Sequence, residues 1–135
     1  MQKLTKQLLQ KAQTLRDKVF KDKDEAFIAS LTPNHQYYKK HNITKLEYFV
    51  KIKDNEVIGT IGLYEENNET WLGWFCVDER YRNQGIGQEM FDFILKKASK
   101  LKIYTDKDNF IAQNFYEKNG FKKFYEDKEN IYYKN

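Results

Sequence analysis

The sequence predicts an α+β domain built around a mixed, mostly antiparallel sheet. Residues 46–77 are rich in β-branched and aromatic side chains and are broken twice by turn residues. Helical periodicity flanks that block on both sides. The segments run as helices, three strands, a helix, a strand, a helix and two strands, which interleaves both periods in one chain. A length of 135 residues suits a single domain. A chain of that size buries roughly 68–70% of its unfolded surface, enough for a real core.

Leu4, Leu8, Ala12, Leu15 and Val19 recur at steps of three or four, the apolar stripe of an amphipathic first helix. "DEAFIASL", from Asp24, reads as a second helix. Thr32 is placed to cap a third, with Pro33 at its first position and Tyr37 and Tyr38 within it. After His41 the strands begin. Asp54-Asn55 and Glu66-Asn67-Asn68 divide residues 46–77 into three, and such short connections predict an antiparallel meander. The third strand, Thr70 to Val77, is apolar on both faces and so is expected to be central.

Gly85 opens the next helix, in which Ile86, Met90, Phe93, Ile94, Ala98 and Leu101 hold the helical period. "LKIYT" is a short strand. Asp108 is a suitable N-cap for "NFIAQNFYEKN", and Gly120 a suitable left-handed stop. "FKKFY" and "NIYYK" close the chain as a hairpin around Asp127-Lys128.

Hydrophobic residues at 40% and aromatics at 16% exclude a disordered chain despite 33% charge. A net charge of +4 suits an anionic ligand, but the charges are spread along the chain, so no nucleic-acid partner is expected. One cysteine, Cys76, excludes an internal disulfide and argues against a metal cluster. No apolar run approaches the roughly 20 residues of a bilayer span, and the polar N-terminus lacks a secretory apolar core. No membrane partner and a cytoplasmic location are the expectation.

The stretch "VDERYRNQGIGQEMFDFILKKA", Val77 to Ala98, sets two of the chain's six glycines at the mouth of a helix. Gly85 and Gly87 lack Cβ atoms, so a ligand can come close to the backbone. The first helical turn leaves its N–H groups unpaired, and the macrodipole adds positive potential. The combination is an anion site, to which Arg82 and Arg80 add full charges. The same pattern also serves a tight strand-to-helix turn.

"RNQGIG", Arg82 to Gly87, resembles the Arg/Gln-x-x-Gly-x-Gly/Ala signature of the GNAT family, the acetyl-CoA-dependent N-acetyltransferases. "FCVDERY" before it is similar to the family's central strand, and "NFIAQNFYEKNGF", Asn109 to Phe121, is similar to its second cofactor motif. The resemblance covers residues 46 to 135. It implies a three-layer domain with helices on both faces of the sheet, a cofactor-binding core at 46–135 and a helical acceptor-side region at 1–41. Acetyl-CoA is the implied co-substrate, with no metal. Its pyrophosphate would rest on the loop of Arg82, Asn83, Gln84, Gly85, Ile86 and Gly87. Its pantetheine arm would lie beside Phe75 to Val77 as an added strand, bonded by Asn109, with Tyr116 near the sulfur. One departure stands out: family members begin with a β-strand, whereas this chain opens on a helical pattern, so that strand is expected to be missing or replaced.

The implied reaction moves an acyl group from a thioester to an amine of a small molecule or a protein. A strand amide near Phe75 or Val77 would polarise the carbonyl. The ammonium must lose a proton before it attacks. Tyr116, a phenol of reference pKa about 10 against about 8.5 for a thiol, is the candidate donor to the leaving sulfur. No single base stands out among Glu47, Glu65, Glu66, Glu69, Asp78 and Glu79, which read mostly as solvated charges. His35 and His41 read as surface or structural residues, and Cys76 as a small buried hydrophobe rather than a nucleophile. Tyr37, Tyr38, Trp71, Trp74 and Tyr125 are candidates for an acceptor pocket, with core packing as their alternative. The first helix's stripe would serve a homodimer if exposed, or pack on its own sheet. A non-catalytic acyl-CoA-binding or sensing domain is the rival reading, since it would keep the glycine loop without the acid–base chemistry.

Overall fold

A computed structural model describes residues 1–20 and 25–135. Its single sheet has seven strands in the order β1-β2-β3-β4-β5-β7-β6. These are β1 Gln2–Lys3, β2 Ile43–Lys53, β3 Glu56–Glu66, β4 Glu69–Val77, β5 Lys102–Asp106, β6 Lys122–Glu126 and β7 Asn130–Lys134. The helices are α1 Leu9–Val19, α2 Ala26–Ser30, α3 Gln36–Lys40, α4 Ile86–Lys97 and α5 Phe110–Lys118. None of them is long and apolar enough to cross a membrane among the described residues.

The meander forms where turn chemistry demands it. Asp54 and Asn55 have φ of 51° and 63°, and Asn67 and Asn68 have 52° and 63°. Two consecutive left-handed residues match the twist of the strands they join, and Asn and Asp tolerate that region best. β2, β3 and β4 therefore pair antiparallel in sequence. β4 sits in the middle of the sheet, as its two apolar faces predict. Gly62 is required for packing, because a Cβ there would lie 2.5 Å from the Tyr48 ring, which crosses the sheet face above it.

Two cores sit on opposite faces. One joins α4 and α5 to the sheet through Ile58, Ile61, Met90, Phe91, Ile94, Tyr116 and Tyr133. The other joins α1 and α2 to it through Ala12, Leu15, Phe27, Tyr48, Val50 and Cys76. Each large apolar side chain so buried contributes about 1.5–3 kcal/mol relative to exposure.

Several local expectations are corrected. The first strand is present, as a two-residue edge pairing Gln2 with Val50 and Lys3 with Phe49. The predicted first helix is shorter: Leu4 donates its amide to the Tyr48 carbonyl at 2.9 Å, a 3₁₀ turn covers Lys6–Leu8, and α1 comes after it. Of the two readings of the stripe, packing on the chain's own sheet holds for Leu4, Ala12 and Leu15, which are buried there, while Leu8 and Val19 are half-buried. The third helix is capped by His35, whose Nδ1 accepts from the Tyr37 amide, while Thr32 bonds back to the Ile28 carbonyl as part of a turn. The cap of α5 is Asn109, whose side chain accepts from the Ala112 amide at 3.1 Å, one residue past the predicted Asp108. Asp24, the first residue of the predicted second helix, lies outside the described residues; α2 begins at Ala26.

Candidate active site

The sheet opens at its centre. β4 and β5 run parallel and pair only at Trp71 with Lys102, after which they part. On the other side of β4 the ladder is interrupted: Trp74 and Phe75 together oppose the single residue Ile61, between the pairs Gly62–Gly73 and Thr60–Cys76. This is a β-bulge, which leaves a residue out of the ladder and bends the strand. Trp74 carries its distortion at φ 37°, where a bulky residue is strained. The Thr60 hydroxyl donates to the Trp74 carbonyl at 3.0 Å and so replaces the lost ladder bond.

The bulge sets which main-chain groups face the gap. The Asp78 amide donates to the Ile58 carbonyl at 2.7 Å, and Cys76 opposes Thr60, so residues 76 and 78 bond toward β3. Bonding groups alternate along an antiparallel strand, so Val77 turns its N–H and carbonyl away from β3. Its carbonyl accepts from Arg82 Nε at 3.3 Å. The side chains of Phe75 and Val77 lie on the α4 face. Phe75 stacks on Phe91 and packs at a 60° tilt against Phe115, and Val77 sits 3.8 Å from where a Gly87 Cβ would be.

Beyond β4 the chain makes a 3₁₀ turn, Glu79–Tyr81, and then the glycine loop. Asp78 builds that turn: its Oδ1 accepts from the Arg80 amide at 3.0 Å and from Arg80 Nε at 3.2 Å. The Arg80 side chain, bonded to it, holds the buried Asp78 carboxyl below the usual carboxylate range. Arg80 also donates to Glu56 at 2.8 Å. Its charge is thus committed to two carboxylates, and the expectation that it adds free charge to the anion site is corrected. Arg82 differs: among the described residues no carboxylate pairs with it, and it lines a cavity of about 320 Å³ with Leu15, Lys18, Val19 and Asp78.

Asn83 and Gly85 take left-handed conformations, φ 62° and 78°. Together they fold the exposed loop of Arg82 to Gly85 onto the start of α4, and Ile86 anchors it in the core. The first intrahelical bond runs from Glu89 to the Gly85 carbonyl at 3.0 Å, so the amides of Ile86, Gly87 and Gln88 have no acceptor within the helix. A Cβ on Gly85 would meet nothing within 4 Å, which leaves open space over the loop. Gln88, which the sequence did not single out, ties α4 to α5 through Asn119 at 2.7 Å.

Tyr116 projects from α5 among Phe91, Phe115 and Tyr133. It is buried, its hydroxyl makes no hydrogen bond with the described residues, and burial pushes its pKa well above the ordinary phenol. Asn109 spends its side-chain oxygen on capping α5, which leaves its Nδ2 as a donor. Burial likewise raises the Cys76 thiol, despite its contact with the Thr60 hydroxyl at 3.3 Å, so it stays protonated at neutral pH. The remaining acids are dispersed. Glu65, Glu66 and Glu69 stand at the β3–β4 turn, the closed end of β4, where Glu69 ion-pairs with Lys102. Glu47 pairs with Lys45 at 3.0 Å. His35 is a helix cap, and His41 stacks on Tyr37 with centroids 4.2 Å apart. Trp74 packs edge-on against Phe20, and Tyr38 donates to the Ala29 carbonyl, so both are structural.

A central strand that parts from β5, with a glycine-capped helix start and its free amides at the end of the gap, suits a ligand that carries both amides and an anionic group. The family comparison agrees: the model of the acetyltransferase (GNAT) family matches residues 16–121. The chain belongs to that family. Solved structures share the fold. A GNAT-family acetyltransferase from Staphylococcus aureus Mu50 superposes with a TM-score of 0.72 at 19% identity, covering 98% of this chain and 95% of that one. The ribosomal-protein-S18-alanine N-acetyltransferase of Escherichia coli gives 0.73 at 16% identity, covering 98% and 89%. The PaiA N-acetyltransferase of Thermoplasma acidophilum, in complex with coenzyme A, gives 0.68 at 18% identity, covering 99% and 96%.

Proposed function

We propose that this chain transfers an acetyl group from acetyl-CoA to a primary amine by direct attack. The observation that carries the reading is the parting of β4 and β5 after Trp71–Lys102, beside a helix start with free amides. The similar Thermoplasma protein holds coenzyme A, which supports the same ligand here. Acetyl-CoA supplies an activated thioester; everything else falls to the chain. The amides of Ile86 and Gly87, with the exposed Asn83, Gln84 and Gly85, hold the pyrophosphate, and Arg82 adds charge. The main chain at Phe75 and Val77 takes the pantetheine amides as an added strand, and Asn109 Nδ2 donates to the same arm. A strand amide there polarises the thioester carbonyl.

Tyr116 acts as the proton donor. The phenol is protonated at neutral pH and so carries a proton it can give to the departing sulfur; burial raises its pKa, which weakens it as an acid and rules it out as a base. Asp78, held ionised by Arg80, is a weak base, and the amine's proton leaves through water. Residues 46–135 serve as the cofactor-binding core and residues 1–41 as the acceptor side. The acceptor is a small-molecule or protein amine. The test is a panel of amines and peptides incubated with acetyl-CoA, with free thiol measured alongside acetyl-CoA affinity. Turnover of at least one amine is expected. Tight acetyl-CoA binding with no turnover across the panel would make the chain a sensor rather than an enzyme.

A further inference from the structure

The strained residue of the bulge is held from two sides. A bulky side chain at φ 37° persists only where its surroundings over-determine it. From α1, Phe20 packs edge-on against the Trp74 indole with centroids 4.6 Å apart, and the Arg16 guanidinium lies over the same ring at 5.3 Å. From β3, the Thr60 hydroxyl donates to the Trp74 carbonyl at 3.0 Å. Thr60 is 1% exposed, so this bond forms out of reach of bulk water. A hydroxyl has one proton to give. Here it goes to the carbonyl, so in the 3.3 Å contact with Cys76 the thiol is the donor. Thr60 is β-branched and therefore stiff at χ1, and its oxygen is bonded on both sides.

What this bond fixes is the peptide unit between Trp74 and Phe75. A trans peptide sets its N–H opposite its carbonyl. With the Trp74 carbonyl drawn to Thr60 on β3, the Phe75 N–H points away from β3, toward the gap between β4 and β5. Take the hydroxyl away and that carbonyl becomes a buried acceptor without a partner, because the bulge has removed its ladder bond. Turning the peptide unit over relieves it. The carbonyl then reaches water in the gap, and the Phe75 N–H swings back toward β3.

We propose that Thr60 is a positioning residue for the transfer: through the Trp74 carbonyl, its hydroxyl keeps the Phe75 N–H aimed into the gap as the donor to the thioester carbonyl oxygen. This role rests on the acetyl-transfer reading. Negative charge grows on that oxygen as the amine attacks, so the donor's bond strengthens chiefly in the transition state. Thr60 therefore governs rate, whereas the loop amides and the Val77 main chain govern cofactor affinity.

Thr60→Val removes the hydroxyl and keeps the branched shape, and Thr60→Ser keeps the hydroxyl. With acetyl-CoA saturating and an amine from the panel, Thr60→Val should lower the single-turnover rate by about 10²-fold, the low end of what a deleted oxyanion donor costs. Its acetyl-CoA dissociation constant should hold, and Thr60→Ser should behave as wild type in both. The proposal is overturned if the Thr60→Val rate holds, if rate and affinity fall by the same factor, or if Thr60→Ser is as slow as Thr60→Val. Amide hydrogen exchange in the unliganded protein decides the aim of the Phe75 N–H with neither cofactor nor acceptor. In wild type and Thr60→Ser it should exchange fast beside a protected Cys76 amide, and in Thr60→Val it should gain protection. A wild-type Phe75 amide as protected as that of Cys76, or one indifferent to Thr60→Val, rejects the proposal whatever the turnover. If no amine is turned over, the transfer reading fails by itself, and exchange still accepts or rejects the hold of Thr60 on this peptide.

Discussion

Replacing Gly85 separates the two roles its position combines. At φ 78° it caps α4 in the left-handed region, and a Cβ there would meet nothing of the protein within 4 Å. Gly85→Ala therefore carries no packing penalty, only the left-handed cost of about 1–2 kcal/mol for a residue with a Cβ. For a chain of this length that lowers Tm by about 4–8 °C. Gly85→Asn should lose much less stability, because Asn adopts the left-handed region readily. Both side chains enter the open space assigned to the pyrophosphate, so both should lose at least tenfold in acetyl-CoA affinity, about 1.4 kcal/mol. Scanning calorimetry gives the first quantity and isothermal titration the second. A Gly85→Asn protein that melts like wild type and binds acetyl-CoA as tightly would show that the ligand does not pass over this residue.

Other residues of the site give sharper distinctions. Arg82→Ala should weaken coenzyme A binding more at low salt than at high salt, because screening already weakens the native contact at high salt; a salt-independent loss would make the residue structural. Tyr116→Phe should slow single-turnover transfer, by up to about 10²–10⁴-fold if the hydroxyl is the acid, while acetyl-CoA affinity holds; equal losses in both would make it a binding residue. Asp78→Asn should lower Tm by a few degrees at neutral pH. The Asp78 carboxyl titrates below its unfolded value, so its contribution is full above pH of about 4 and fades as the pH falls through the folded value. The two melting curves should converge in acid, and a gap that persists there would remove the Asp78–Arg80 pair as the cause.

Much of the fold is written in local chemistry. The Asp54-Asn55 and Asn67-Asn68 pairs mark both hairpins, and Gly85 and Gly120 mark a helix start and a helix stop, because each needs only its own φ to be read. What escaped the sequence depends on distant partners. The bulge at Trp74 exists only relative to Ile61 across the ladder, and the pairing of Arg80 to Glu56 spans 24 residues. Phe91 lies in the α4 core where periodicity chose Phe93, because the helix buries a stripe wide enough to include both rings, and Phe93 packs at its edge on Phe49. The cap falls at Asn109 rather than Asp108, and the sequence could not separate the two because either side chain can accept a helix amide. Around the proposed site, the glycine motif marks a helix start, but only the structure shows that Arg80 is committed elsewhere and that the Val77 main chain faces the gap.

The proposed chemistry requires acetyl-CoA to enter the gap between β4 and β5 with its phosphates on the α4 loop. Amide proton–nitrogen correlation spectra of the isotope-labelled protein, titrated with acetyl-CoA, test that placement directly. Saturable shifts are expected to concentrate at Phe75, Val77, Gly85, Ile86 and Gly87, with Asn109 Nδ2 moving in step. Shifts that leave Val77 and the loop amides in place, or that gather instead around the separate cavity lined by Lys45, Thr70, Lys97 and Ser99, would contradict it.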